Sequence, residues 1–260
     1  MKIIKIPFSG GGLNHGNGAN KAPDKIVSHL KNFFSNETGL IPKFEIEEIK
    51  VDESNISQSH QNIEEHLSKI NEKAILLGGD HSITYPSIKA FSKNNKDFKL
   101  IIFDAHPDLM DDFIPPTQED YLKTLIENNY VNPENILLVG IRNSDILELN
   151  YLKEKTIKFL TANDILEKGI KDITKIICNF SDKTTYLSID IDVVDPVEAI
   201  GTGYIEHGGM SSRELIYCLQ NLKKTGNLKM IDIVEVNPEK DVKDITSILA
   251  TKLIVEMFDL

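Results

Sequence analysis

An apolar run that stops in ligand-type side chains at every second position is the chemically most suggestive stretch of the chain: residues 100–108 read Leu-Ile-Ile-Phe-Asp-Ala-His-Pro-Asp. In an extended backbone alternate residues share a face, so Asp104, His106 and Asp108 can converge on one point at the end of a buried strand. Pro107 marks where that strand is already breaking up. The design recurs twice. Residues 74–77 lead into Gly78-Gly79-Asp80-His81-Ser82, and residues 186–189 lead into Asp190-Ile191-Asp192, with Asp195-Pro196 following. The candidate metal ligands are therefore His81, Asp104, His106, Asp108, Asp190 and Asp192.

Four carboxylates brought together repel, and the usual relief is protonation or a bound cation of high charge. Two divalent ions would neutralise them. A mixed oxygen and imidazole shell without thiolate favours Mn²⁺ over a structural zinc, with zinc, cobalt, nickel and iron as the other divalent options. Two such ions about 3.5–4 Å apart can share a water and turn it into hydroxide near neutral pH, which points to a hydrolase.

The chain that must position these groups has 260 residues, of which 40% are hydrophobic and 27% charged, ordinary values for a soluble globular protein. One domain spanning 1–260 is expected. A formal net charge of -11 argues against nucleic acid or an anionic membrane as partner and weakly suits a cationic substrate. Cys178 and Cys218 are the only cysteines, outside any Cys-x-x-Cys pattern, so both are expected in the core rather than in a disulfide. The apolar run at the N-terminus is too short for a signal peptide, and no run reaches the ~18 apolar residues of a membrane span, which makes the cytoplasm the expected compartment.

Periodicity places strands at residues 2–8, 44–51, 73–77, 99–104, 135–141, 156–160, 184–190 and 229–235. Between them fall helices at about 22–34, 55–71, 85–93, 119–129, 145–153, 161–167 and 170–180, then one capped by Ser211 or Ser212 and a final amphipathic helix at 241–258. His60 and His66 are expected on a solvated helix face. The glycine-rich loop at 9–18 lacks both the Gly-x-x-x-x-Gly-Lys-Ser/Thr and the Gly-x-Gly-x-x-Gly pattern, which argues against nucleotide binding. Alternating strands and helices imply a three-layer α/β/α architecture with a mostly parallel sheet of roughly eight strands, ligands binding at the strands' carboxyl ends. Every metal candidate lies there.

The chain resembles the ureohydrolases, the family of arginase, agmatinase and formiminoglutamase, dinuclear manganese enzymes. The resemblance rests on Gly78-Gly79-Asp80-His81-Ser82, on Asp104-Ala105-His106-Pro107-Asp108, on 188–192 through Asp195-Pro196, and on Glu235-Val236-Asn237-Pro238. It implies an arginase-like fold and a homo-oligomer, trimeric or hexameric. It also implies one metal held by His81, Asp104, Asp108 and Asp192 and a second by Asp104, His106, Asp190 and Asp192. The substrate implied is a small cationic guanidino or amidino compound, with Glu235 pairing to its head and Asp145 and Glu148 holding an amino group further along. Agmatine-like amines, arginine, other guanidino acids and a peptidyl arginine side chain all remain open as substrates, and agmatinase-like motifs, notably Glu-Val-Asn-Pro, tilt the reading slightly toward the first.

One departure stands out. The family carries a His-Gly pair in the loop after the Asp-x-His-x-Asp motif, a histidine thought to shuttle protons, whereas residues 115–120 here contain none and Gln118 falls near its place. An amide neither gives nor takes a proton at neutral pH. Beside Asp104 and Glu235, His15 and His207 are therefore the remaining catalytic expectations, with Glu119 a third possible substitute. Two rival readings are a metal-dependent deacetylase, which needs a single zinc and fewer carboxylates, and a ureohydrolase-like protein that binds metal without turnover.

Overall fold

Alternation within each strand decides the layers of the molecule, seen here in a computed structural model that describes residues 1–13, 15–111 and 113–258. Asn14 and Asp112, inside two of the loops expected near the site, lie outside the described residues. Eight strands form one all-parallel sheet: β1 (Lys2–Lys5), β2 (Glu45–Glu48), β3 (Ala74–Leu77), β4 (Lys99–Phe103), β5 (Ile136–Ile141), β6 (Lys158–Thr161), β7 (Thr185–Asp190) and β8 (Leu228–Val234), in the order β2-β1-β3-β8-β7-β4-β5-β6. Ile75, Leu77, Ile101 and Phe103 point to one face, and Ala74, Leu76, Leu100 and Ile102 to the other. Burial on both faces is what makes these strands read as continuous apolar runs.

Helices α1 (Ala22–His29), α2 (Ile56–Leu67), α3 (Thr84–Asn94), α4 (Tyr121–Glu127), α5 (Ile146–Glu154), α6 (Ala162–Lys168), α7 (Ile170–Phe180), α8 (Ser212–Lys223) and α9 (Ile245–Met257) cover the sheet. Buried residues of α1 and α6–α9 pack on the first face, and those of α2–α5 on the second. Parallel strands need such crossovers, and they leave all eight carboxyl ends on one side of the sheet. The four adjacent strands β3, β8, β7 and β4 run out at the centre of that side, into His81, Glu235, Asp190 and Asp104.

Three expectations are corrected. The last helix is not amphipathic: in α9 the polar Thr246, Ser247, Thr251 and Glu256 are buried along with the aliphatics, because α1 and α8 flank it. Their needs are met internally, Thr251 Oγ1 bonding Ile26 O at 2.9 Å and Glu256 accepting from Gln220, Lys252 and the backbone of Glu37. His60 is not on a solvated face but buried between the rings of Phe8 and Tyr85. Cys218 is buried as expected, whereas Cys178 is half-exposed. Among the described residues no helix is long and apolar enough to cross a membrane.

Candidate metal centre

Each polar strand end is held by hydrogen bonds from a neighbouring strand end. Asp104 N donates to Val139 O at 3.0 Å and Asp104 Oδ1 accepts His106 N at 2.7 Å, while Asp192 Oδ1 accepts Ala105 N at 3.0 Å and so ties the β7 turn to the β4 turn. Glu235 N donates to Gly79 O at 2.7 Å, and Glu235 Oε1 accepts His81 N at 2.7 Å. Gly79 has no alternative here, since a Cβ on it would lie 2.0 Å from Phe8 O. Asp108 and Glu235 hold positive φ values of 54° and 64°, an uncommon conformation for side chains of this size that aims both carboxylates inward.

Three carboxylate oxygens surround one imidazole nitrogen. His81 Nδ1 lies 3.2 Å from Asp104 Oδ2, 3.0 Å from Asp108 Oδ2 and 3.3 Å from Asp190 Oδ2. His106 Nδ1 lies 3.0 Å from Asp192 Oδ2 and 3.5 Å from Asp104 Oδ1. Asp104 thus offers one oxygen to each cluster, and within each triad, His81–Asp104–Asp108 and Asp104–His106–Asp192, the donor atoms lie within 4.8 Å of one another. This partition differs from the one the resemblance implies. Asp190, the last residue of β7, turns to His81, whereas Asp192 is drawn toward β4 by the bond to Ala105 N and meets His106.

The donor atoms fit divalent cations. Among the described residues His81 Nδ1 and Asp104 Oδ2 are buried without a hydrogen-bond partner, a costly arrangement unless something of positive charge joins them. The charges of the cluster act on one another. Burial, with the charge of Asp104, pushes Asp108 up to about 7, and burial with Asp192 and Asp104 raises Asp190 well above the usual carboxylate range. Burial opposes charge on the imidazoles as well, yet Tyr121 and the contacts with Asp104, Asp108 and Asp190 hold His81 well above its ordinary value, and the contacts with Asp104 and Asp192 raise His106.

A cavity of about 150 Å³ opens over these groups, and its wall includes Gln118, Glu119, Thr202, Tyr204 and Glu235. Four buried atoms on that wall also lack a hydrogen-bond partner among the described residues: Gln118 Oε1 and Nε2, Thr202 Oγ1 and Glu235 Oε2. Burial and the neighbouring Asp80 push Glu235 up to about 8. Glu148 reaches the cavity, but its two oxygens accept Leu109 N and Asp145 N, each at 2.9 Å. Asp145 is exposed and spends its carboxylate on capping α5. His15 and His207 are not among the lining residues: the first stacks on Tyr204 at 4.5 Å between ring centroids, and the second is exposed, its carbonyl accepting Arg142 Nε.

Sequence reasoning missed the support behind His81. Its Nε2 lies 2.9 Å from Ser188 Oγ and 3.0 Å from Tyr121 OH, and Ser188 donates in turn to Asp232, which also accepts from Tyr186 and Thr84. The available signal was an acid in the middle of the apolar strand β8. Tyr204 and Thr202 carried none, since both lie in a long loop without periodicity.

A model of the Arginase family matches residues 1–259. The arginase of Staphylococcus aureus strain MSSA476 is 32% identical over 249 residues, covering 89% of this chain and 80% of that protein. The agmatinase of Bacillus subtilis strain 168 is 32% identical over 220 residues, 82% of this chain and 73% of that one. Among solved structures, the formimidoylglutamase of Bacillus subtilis superposes with a TM-score of 0.92 at 27% identity, covering 98% of this chain and 85% of that chain.

Proposed function

The chain belongs to the arginase family, and from that membership we propose a hydrolase that cleaves a C–N bond of a small guanidino or amidino compound at two divalent ions, Mn²⁺ by preference. One ion would sit with His81, Asp104, Asp108 and Asp190, the other with Asp104, His106 and Asp192. The observation that carries this is the convergence of three carboxylates on His81 Nδ1 while Nε2 is already engaged. When bound, such a pair neutralises the carboxylates and supplies an activated water. The oxygen and nitrogen donors, with no thiolate, are what favours manganese.

The chain's own residues bind and orient the substrate. Glu235 keeps Oε2 for the cationic head, and a cation there restores the charged form that burial disfavours. Thr202 and Gln118 offer the remaining unpartnered polar atoms. No Lys or Arg lines the cavity, and Glu119, Glu148 and Glu235 stay acidic beyond the metal cluster, so a neutral or amine tail is favoured over a carboxylate tail. This points to an agmatine-like amine. The same reading places the protein in the cytoplasm as a homo-oligomer, whose assembly sedimentation of the purified protein tests.

The test is product release by the Mn²⁺-loaded protein from agmatine, arginine, guanidinobutyrate and a formimidoyl amino acid, with His81→Ala as control. Preference for agmatine, lost in the control, is the expected result. Turnover of the carboxylate-bearing compounds alone would refute the tail assignment. Absence of turnover from all four, with two ions confirmed bound, would refute the reading as a whole.

A further inference from the structure

Breaking a guanidino or amidino C–N bond expels an amine, which needs a proton as it leaves, and Gln118 has none to give. The other titratable groups of the cavity are committed. His81, His106, Asp108, Asp190 and Asp192 would hold the ions, Glu235 would face the cationic head, and both oxygens of Glu148 hold backbone amides. Glu119 is different. Its Oε1 accepts Tyr204 OH at 2.8 Å, and its Oε2 has no hydrogen-bond partner among the described residues.

We propose that Glu119 is the proton carrier of this site, oriented by Tyr204, an inference that rests on the hydrolase reading above. Its backbone is fixed, Glu119 O accepting Met110 N at 3.0 Å and Glu119 N approaching Thr117 Oγ1 at 3.4 Å. From the opposite wall it meets Tyr204, behind which lie the stacked ring of His15 and the ammonium of Lys240, bonded to the carbonyls of His15 and Gly203. The ring of His106 meets that of Tyr204 at 5.6 Å between centroids, with Glu206 Oε1 3.6 Å from His106 Nε2, and Glu235 Oε2 lies 3.2 Å from where a Cβ on Gly203 would stand.

The step balances. The attacking water adds its oxygen to the amidino carbon and gives one proton to the Glu119 carboxylate. The C–N bond then breaks with its electron pair going to nitrogen, which takes that proton back from Glu119. The proton left on the product oxygen is released and taken up by the free amine. Glu119 starts and ends as a carboxylate, and the step requires that form at its outset.

The test compares wild type, Glu119→Gln and Tyr204→Phe, each loaded with Mn²⁺ and assayed for metal content. Glu119→Gln is expected to bind two ions, keep its KM and lose about 10²- to 10³-fold in kcat together with the acidic limb of the pH profile. Tyr204→Phe removes a donor to the carboxylate and is expected to move that limb to higher pH while turnover persists. A wild-type kcat and an unmoved limb in Glu119→Gln overturn the inference and leave the hydrolase reading standing. If Glu119→Gln does not fold, an unmoved limb in Tyr204→Phe overturns it. Absence of turnover in the wild type overturns both.

Discussion

Ser188 Oγ lies 2.9 Å from His81 Nε2 while spending its single proton on Asp232 Oδ1 at 2.6 Å. The serine can therefore only accept from the histidine, which keeps a proton on Nε2 and makes Nδ1, among Asp104, Asp108 and Asp190, the nitrogen that would yield its proton to an ion. Replacing Ser188 with Ala removes that control. The expected result is about 10- to 100-fold weaker Mn²⁺ binding at the His81 position and a smaller effect at His106, read by competition with a chromogenic chelator. Equal weakening of both ions would show that the serine acts through the whole fold instead.

The two clusters share Asp104 and divide the other acids between them, so stoichiometry separates their members. His81→Asn is expected to leave about one ion per chain, and Asp104→Ala about none, by elemental analysis after gel filtration. Two retained ions in Asp104→Ala would refute its placement between the clusters.

Buried His60 gives a pH dependence independent of the metal. Burial, with Lys89 nearby, pushes it down to about 4 from an ordinary 6.5. The unfolded chain takes up a proton below about 6.5 that the folded chain refuses, so His60 costs nothing above that pH and destabilises progressively as pH falls toward 4. The penalty at the acid end is on the order of 3 kcal/mol. His60→Phe should flatten the loss of denaturant midpoint between pH 6.5 and 4. An unchanged slope would mean that the histidine charges within the fold.

The apolar run ending in Asp104, His106 and Asp108 pointed to this cluster, but strand geometry is not what joins them: β4 stops at Phe103, and Asp108, with φ 54°, reaches His81 from the irregular turn beyond the strand. Which carboxylate meets which imidazole was not legible. Asp190 and Asp192 are two positions apart in a short turn, and a backbone amide from another strand, Ala105, decides their directions. The burial of His60 and of α9 escaped for a related reason: periodicity reports one face of a helix, and these polar groups face neighbours far away in sequence, Phe8 in one case and α1 and α8 in the other.

Gln118 gives a final prediction in which stability and function move in opposite directions. Its loop is pinned by Gln118 N to Gly11 O at 3.1 Å and by Asp120, which accepts Thr117 N and Phe113 N, each at 2.7 Å. The amide is buried, and both of its polar atoms lack a hydrogen-bond partner among the described residues. A buried unsatisfied polar group costs about 1–3 kcal/mol, so Gln118→Leu, similar in volume and apolar, should raise the Tm of the substrate-free protein by about 2–6 °C. If the amide is held for the substrate, the same change should raise KM by about tenfold, the equivalent of one lost hydrogen bond of ~1.4 kcal/mol. Calorimetry and steady-state kinetics on one preparation read both. A higher Tm with an unchanged KM would show that the amide never meets the substrate, and a lower Tm would show that Gln118 is satisfied within the fold.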